Sequence, residues 1–142
     1  MPDVTWNGRA RSNLRRAQQE YEGLKRDYEA GHSKSKLISQ SQRVAEYSLR
    51  AILYSYDIRI EKTHELNNVC QKYRERLNDI WLELEPFLEH YGWIYHERLL
   101  MDYQHMDLPS YSIPPIPEEN VDRALDTAQR FMQLAERVVG GI

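Results

Sequence analysis

SQRVAEYSLRAILYSYDIRIEKTHEL, residues 41–66, is the stretch whose reading decides the fold. Val44, Ala45, Leu49, Ile52, Leu53 and Tyr56 recur at three- and four-residue spacings, and Leu37 and Ile38 extend the same face upstream. So broad an apolar face predicts the most buried helix of a bundle, running from a start at Ser33 to about Tyr56. Asp57 to Lys62 breaks the spacing and reads as a connection, after which Thr63 and Glu65 suit the first turn of a new helix. Gln42 and Glu46 share one helical face, with Arg50 one turn further on. Two readings of them stand side by side: a surface ladder from Glu46 to Arg50, worth only a few tenths of a kcal/mol, or a polar feature that orients loops near a site.

Upstream, Ala10, Leu14, Ala17, Tyr21, Leu24 and Tyr28 alternate by four and three, one stripe of a helix that Thr5 or Asn7 is placed to cap. Its other faces carry Arg9, Arg11, Arg15, Arg16, Lys25 and Arg26, which reads as a solvated face or as a phosphate-facing patch. Gly31 suits the left-handed residue that ends this helix, and Ser33 the cap of the next.

Downstream, Leu66, Val69, Cys70, Tyr73, Leu77, Ile80, Trp81 and Leu84 predict a helix of about six turns, and Glu85-Pro86 predicts a fresh start. Phe87, Leu88, Tyr91, Ile94, Tyr95 and Leu99 would be the inner face of that fourth helix. Residues 106–117, with four prolines, read as an irregular loop. Pro117 opens the last helix, whose seam is Val121, Ala124, Leu125, Ala128, Phe131, Met132, Ala135 and Val138, and Gly140-Gly141 closes it. The fold class expected is therefore all-α, an antiparallel up-and-down bundle of about five helices, with residues 1–142 forming one domain.

Composition bounds the function. With 142 residues, 41% of them hydrophobic and 29% charged, the chain is of soluble globular type. A formal charge of -3 excludes a field that would coat nucleic acid over the whole surface, while leaving room for a local basic patch. Cys70 is the one cysteine, so neither an intrachain disulfide nor a cysteine-rich zinc site can form, and a reducing cytoplasm is the expected home. The opening MPDVTWNGRAR has no apolar core and no apolar run reaches membrane length, so neither a signal peptide nor a membrane span is expected. His90, His96 and His105 are spaced by six and nine, not at the i, i+4 spacing that sets two ligands on one metal, and no metal or cofactor is expected. Phosphate-cradling Gly-rich loops and Gly-x-Ser-x-Gly elbows are absent from the sequence.

Gln42, Ala45, Glu46, Leu49, Arg50, Ala51 and Leu53, followed by His64 and Leu66, carry a resemblance. The stretch resembles the HEPN domain (higher eukaryote and prokaryote nucleotide-binding), whose second helix typically reads Q-x-A-A-E-x-x-L-K-A-x-L and whose next helix begins H-x-L. Arg50 stands where a Lys is usual, and Val44 where a small residue is. Ribonucleases of that family resemble one another in an Arg, four to six residues and a His, a spacing that Arg59 and His64 match. Such a pair suffices for metal-independent RNA cleavage: an imidazole moves the 2'-hydroxyl proton while a guanidinium steadies the phosphate's developing charge. Arg26 with His32, and Arg98 with His105, meet the spacing as well. His64 alone among these histidines also aligns with the family's H-x-L. Relatives commonly carry an Arg-Tyr-Pro run before the Pro-rich loop; here that region reads Leu100-Met101-Asp102-Tyr103-Gln104-His105, and Arg98 could replace the missing Arg only by pointing to the same place.

The resemblance implies a nucleotide- or RNA-related role, a homodimer whose two protomers line one cleft, and partnership as a toxin with a minimal nucleotidyltransferase antitoxin. The alternative is a non-catalytic helical module that binds a nucleotidyltransferase or another protein, with His64 structural.

Overall fold

The computed structural model describes residues 6–60, 65–107 and 116–140, with side chains described for 7–60, 65–98 and 116–140. Among these residues there are five helices and no strand: α1 (Trp6–Glu29), α2 (Lys34–Ser55), α3 (Leu66–Lys72), α4 (Trp81–Asp107) and α5 (Glu118–Val139). The expected all-α bundle is the observed one.

Helix α2 sits at the centre, because apolar residues cover so much of its circumference that three neighbours are needed to bury it. Leu37, Ile38, Val44, Ala45, Leu49, Ala51, Ile52 and Leu53 are all buried. Ala10 clusters with Ala51, Tyr54 and Val139 at one end of the bundle, whereas Leu24 clusters with Leu37, Ile38 and Val121 at the other. Helix α1 is thus antiparallel to both α2 and α5. Arg137 of α5 pairs with Glu83 at 2.6 Å while Arg123 stacks 4.1 Å over Trp93, so α4 is antiparallel to α5 and the chain runs up and down. Phe131 packs at the middle of the core, its ring centroid 5.5 Å from Phe87 and 5.9 Å from Tyr91.

The punctuation between α1 and α2 is as the sequence implies. Gly31 has φ 75, the His32 amide donates to the Asp27 carbonyl at 3.0 Å, and the Lys36 amide donates to Oγ of Ser33. Pro117 caps α5, with Glu118 and Glu119 in the first turn at the positive end of the helix dipole. Asn7 lies inside α1 instead of capping it, and Thr5 lies outside the described residues.

The third helix departs from expectation. In place of six turns, α3 has 7 residues and gives way to a run of tight turns over 73–80, closed by bonds such as Asn78 N to Glu75 O and Ile80 N to Leu77 O. Three-residue turns advance the chain almost as a helix does, so Tyr73, Leu77 and Ile80 still reach the core. The segment is held to the end of α2 by Tyr56, whose hydroxyl donates to Asp79 at 3.0 Å, and by Arg76, which donates to the Asp57 carbonyl at 3.2 Å. The supposed opening of this helix at Thr63 lies outside the described residues.

Pro86 does not start a helix but lies inside α4, which begins at Trp81. It sits on the exposed side with Leu82, where water can take the Leu82 carbonyl that proline's missing N–H leaves free. Helix α4 also extends through Met106 and Asp107, which the proline content had assigned to the loop. Gly92 is a place of close approach: a Cβ there would stand 3.0 Å from Nδ2 of Asn67, and that amide donates to the Leu88 carbonyl.

Candidate functional site

Arg59 emerges where α2 ends. Asp57 takes a left-handed φ of 57, its amide donating to the Tyr54 carbonyl, and the Ile58 amide returns to the Leu53 carbonyl. Ile58 is then driven fully into the core, and Ile60 packs against the clusters around Ala10 and Tyr54. The alternation leaves Arg59 pointing to solvent between two apolar anchors, with no ion-pair partner among the described residues. His64 lies outside the described residues.

The two other Arg/His matches are placed differently. His32 sits at the opposite end of the bundle, after the last residue of α1. Its Nε2 is 3.5 Å from Asp27, and its Nδ1 3.2 Å from Nζ of Lys36. The Asp27 carboxyl is held below its ordinary value, first by the 2.5 Å hydrogen bond from Gln40 and then, against some desolvation, by Lys36 and His32. His32 thus belongs to a structural polar cluster that joins α1 to α2. Arg98 points inward: its guanidinium donates to Oε1 of Gln42. The side chain of His105 lies outside the described residues.

The Gln42–Arg98 contact is one end of a network that includes the Glu46–Arg50 pair, for which the sequence allows either a surface ladder or a polar feature near a site. Gln42 Nε2 donates to Glu46 Oε1 at 3.0 Å, and Arg50 Nε donates to Glu46 Oε2 at 3.3 Å. Gln42 is fully buried, and the side chains of Arg50 and Glu46 are only 16% and 12% exposed. The ladder exists, but inside the protein. Tyr91 lies against it, its phenol pushed up chiefly by burial and also by the Glu46 carboxylate, while a hydrogen bond with Gln42 works the other way. A fully paired network of this kind fixes α4 in register on α2, since any slip would strand buried polar atoms. A signal for its burial was present: Gln42, Glu46, Leu49 and Leu53 are spaced by four, three and four, so the polar pair stands within the apolar stripe.

Cys70 is buried, and burial raises its thiol to about 12, which suppresses the reactive thiolate. Among the described residues no group of three His, Cys, Asp or Glu side chains could hold a metal ion, and no helix is long and apolar enough to cross a membrane.

Comparison with known proteins bears directly on the Gln42–Leu66 stretch. No curated protein and no solved structure gives a significant match to the chain. The family model described as HEPN domain matches residues 10–138, from the first turns of α1 to the end of α5. The match takes in the central helix, its buried polar network and the exposed Arg59 at its end, and by it the chain belongs to the HEPN domain family.

Proposed function

We propose that this HEPN protein carries out a nucleotide- or RNA-related role as a metal-independent endoribonuclease, with Arg59 and His64 as its catalytic pair. Family membership supports the RNA- or nucleotide-related role in general. The observation that carries the finer reading is the exposed guanidinium of Arg59, without an ion-pair partner among the described residues and held between the buried Ile58 and the partly buried Ile60. A cation fixed at its root but unengaged at its tip is suited to a phosphate. In the proposed reaction the 2'-oxygen attacks phosphorus, the 5'-oxygen leaves, and a 2',3'-cyclic phosphate and a 5'-hydroxyl result. The imidazole of His64 moves the proton, and Arg59 steadies the charge on the phosphoryl oxygens.

The active form in this reading is a homodimer, with motif residues of both protomers in one cleft. The biological setting is that of a toxin neutralised by a minimal nucleotidyltransferase in a reducing cytoplasm. The test is cleavage of a mixed RNA in EDTA by the purified protein beside folded Arg59→Ala and His64→Ala variants. Loss of a clear wild-type activity in both supports the pair. Absence of wild-type activity sinks it.

A second reading, a non-catalytic module that binds a nucleotidyltransferase or another protein, draws on the buried network. Gln42, Glu46, Arg50 and Arg98 are occupied with one another, so the three polar residues of the motif on α2, Gln42, Glu46 and Arg50, are accounted for by packing. Arg59 and His64 variants would then leave partner capture intact and reveal no cleavage to lose.

A further inference from the structure

We infer that the outer face of α1, from Trp6 to Gln19, is a binding surface for the phosphate backbone of single-stranded RNA. The inference rests on the RNA-related reading above and adds to it the surface that holds the strand.

Charge is distributed unevenly along this helix. From Trp6 to Gln19 there are four arginines and no carboxylate, in a chain whose net charge is -3. The acidic residues Glu20, Glu22, Asp27 and Glu29 all follow. Arg9, Arg11, Arg15 and Arg16 are all exposed. At roughly 100° per residue, Arg9 and Arg16 line up on the flank toward α2, and Arg11 and Arg15 on the flank toward α5. Gly8, Ser12 and Gln19, uncharged and mostly small, occupy the strip between the two rows.

Each row has a built support. Arg9 lies 5.9 Å over the Tyr54 ring and Arg16 5.1 Å over the Tyr47 ring. The arginines are seven residues apart on α1 and the tyrosines seven apart on α2, and antiparallel packing makes the two pairs coincide. A guanidinium laid on an aromatic face is held in place at the surface, where an oxyanion can approach it. On the other flank, Arg11 and Arg15 border a shallow depression with Leu14, Gln18, Val139 and Gly140, and neither has a carboxylate partner among the described residues. The nearest carboxylates are engaged: Glu20 pairs with Arg43 at 3.6 Å, and Glu136 accepts from Gln18 at 3.0 Å.

Position favours RNA over other anionic partners. The Ala10 and Tyr54 cluster includes Ile60, so the arginine rows start at the end of the bundle from which Arg59 projects. A strand lying between the rows leads to the proposed site of cleavage. Among the described side chains of this face none is large, apolar and exposed enough to enter a membrane, the exposed large hydrophobics being Tyr28 and Leu82.

The test uses a fluorescein-labelled, mixed-sequence 2'-O-methyl oligonucleotide, which has no free 2'-hydroxyl and cannot be cleaved by the proposed reaction. Binding is read by anisotropy across a salt series for the wild type, for Arg11→Glu/Arg15→Glu, and for Arg130→Glu/Arg137→Glu, an equal charge reversal on exposed α5 positions. The α1 double variant is expected to lose tenfold or more in affinity and to flatten the log–log salt slope by about 1.4, for two phosphate contacts at ~0.7 each. The α5 variant is expected to stay within about threefold of wild type. Equal losses in both variants, an unaffected α1 variant, or a wild type that does not bind would each overturn the inference. Cleavage of unmodified RNA is scored separately. Binding through α1 without cleavage would retain this surface and remove the Arg59/His64 reading, and cleavage with an unaffected α1 variant would do the reverse.

Discussion

Arg98 on α4 and Gln42 on α2, 56 residues apart in sequence, meet in the interior through a hydrogen bond from the guanidinium to the side-chain carbonyl. Gln42 passes the connection to Glu46, and Glu46 receives Arg50. Arg98→Met would keep the aliphatic stem and leave the buried Gln42 oxygen without its donor, a cost of about 1–3 kcal/mol. Urea unfolding should show a lowered midpoint at unchanged slope. A variant as stable as wild type would mean that α4 is not registered on α2 through this contact.

Arg59 should behave in the opposite manner. It is exposed and unpaired among the described residues, so Arg59→Ala is expected to change stability by no more than ~0.5 kcal/mol. If the proposed reaction holds, the same variant loses most RNA cleavage in EDTA. Denaturation and cleavage assays on one preparation separate loss of chemistry from loss of fold.

Phe131 is fully buried between Phe87 and Tyr91. Phe131→Ala is expected to cost about 3–5 kcal/mol, because α5, α4 and α2 all close on that ring and cannot collapse into the space together. Phe131→Leu should recover more than half of the loss, as read by thermal unfolding.

Gly31 is held at φ 75 with open space around it, so Gly31→Ala meets no neighbour and pays only the left-handed strain. The expected loss is about 1 kcal/mol. Chemical denaturation should place Gly31→Asn nearer to wild type, since Asn tolerates this conformation better.

Cys70 carries a pH prediction. Burial raises its thiol from 9.0 to about 12 in the folded protein. Below pH 9 the thiol is protonated in both states and its contribution to stability is fully present. As pH rises from about 9 toward 12 the unfolded chain ionises first, and that contribution is lost. Tyr56, raised from 10.0 to about 12 by desolvation and by its bond to Asp79, adds a second loss that begins near pH 10. Unfolding midpoints should therefore fall between pH 9 and 10, and Cys70→Ala should flatten that interval while leaving the steeper decline above it.

Much of this was legible in the sequence because local rules decided it. Gly31 with Ser33, and Pro117 with two glutamates, mark helix boundaries through backbone geometry and dipole alone, and the structure follows both. The wide apolar face of α2 fixed its central place for the same reason. What misled was local pattern under tertiary control. The seam from Val69 to Leu84 satisfies tight turns as well as a helix, and the turns observed are tied to the end of α2 by bonds between Tyr56 and Asp79 and between Arg76 and Asp57 that no local pattern announces. Pro86 resembles a helix start, yet two residues on its N-terminal side that pack into the bundle, Trp81 and Leu84, pull the helix back past it. At the candidate site, the spacing to His64 singles out Arg59, and the structure adds only its exposed position at the end of α2. The burial of Gln42 and Glu46 was written in the stripe, but their partner Arg98 was not, since nothing local ties a residue of α4 to one of α2.

The central place of α2 also sets an order of assembly. Helix α1 precedes it directly and can zip onto it as a hairpin through short-range contacts, whereas α5, its other main cover, is brought in from far along the chain. While the polypeptide emerges from the ribosome, the strip of α2 that will receive Ala128, Phe131 and Ala135 stays wet, and this half-clad hairpin is the species most exposed to chaperones, proteases and self-association.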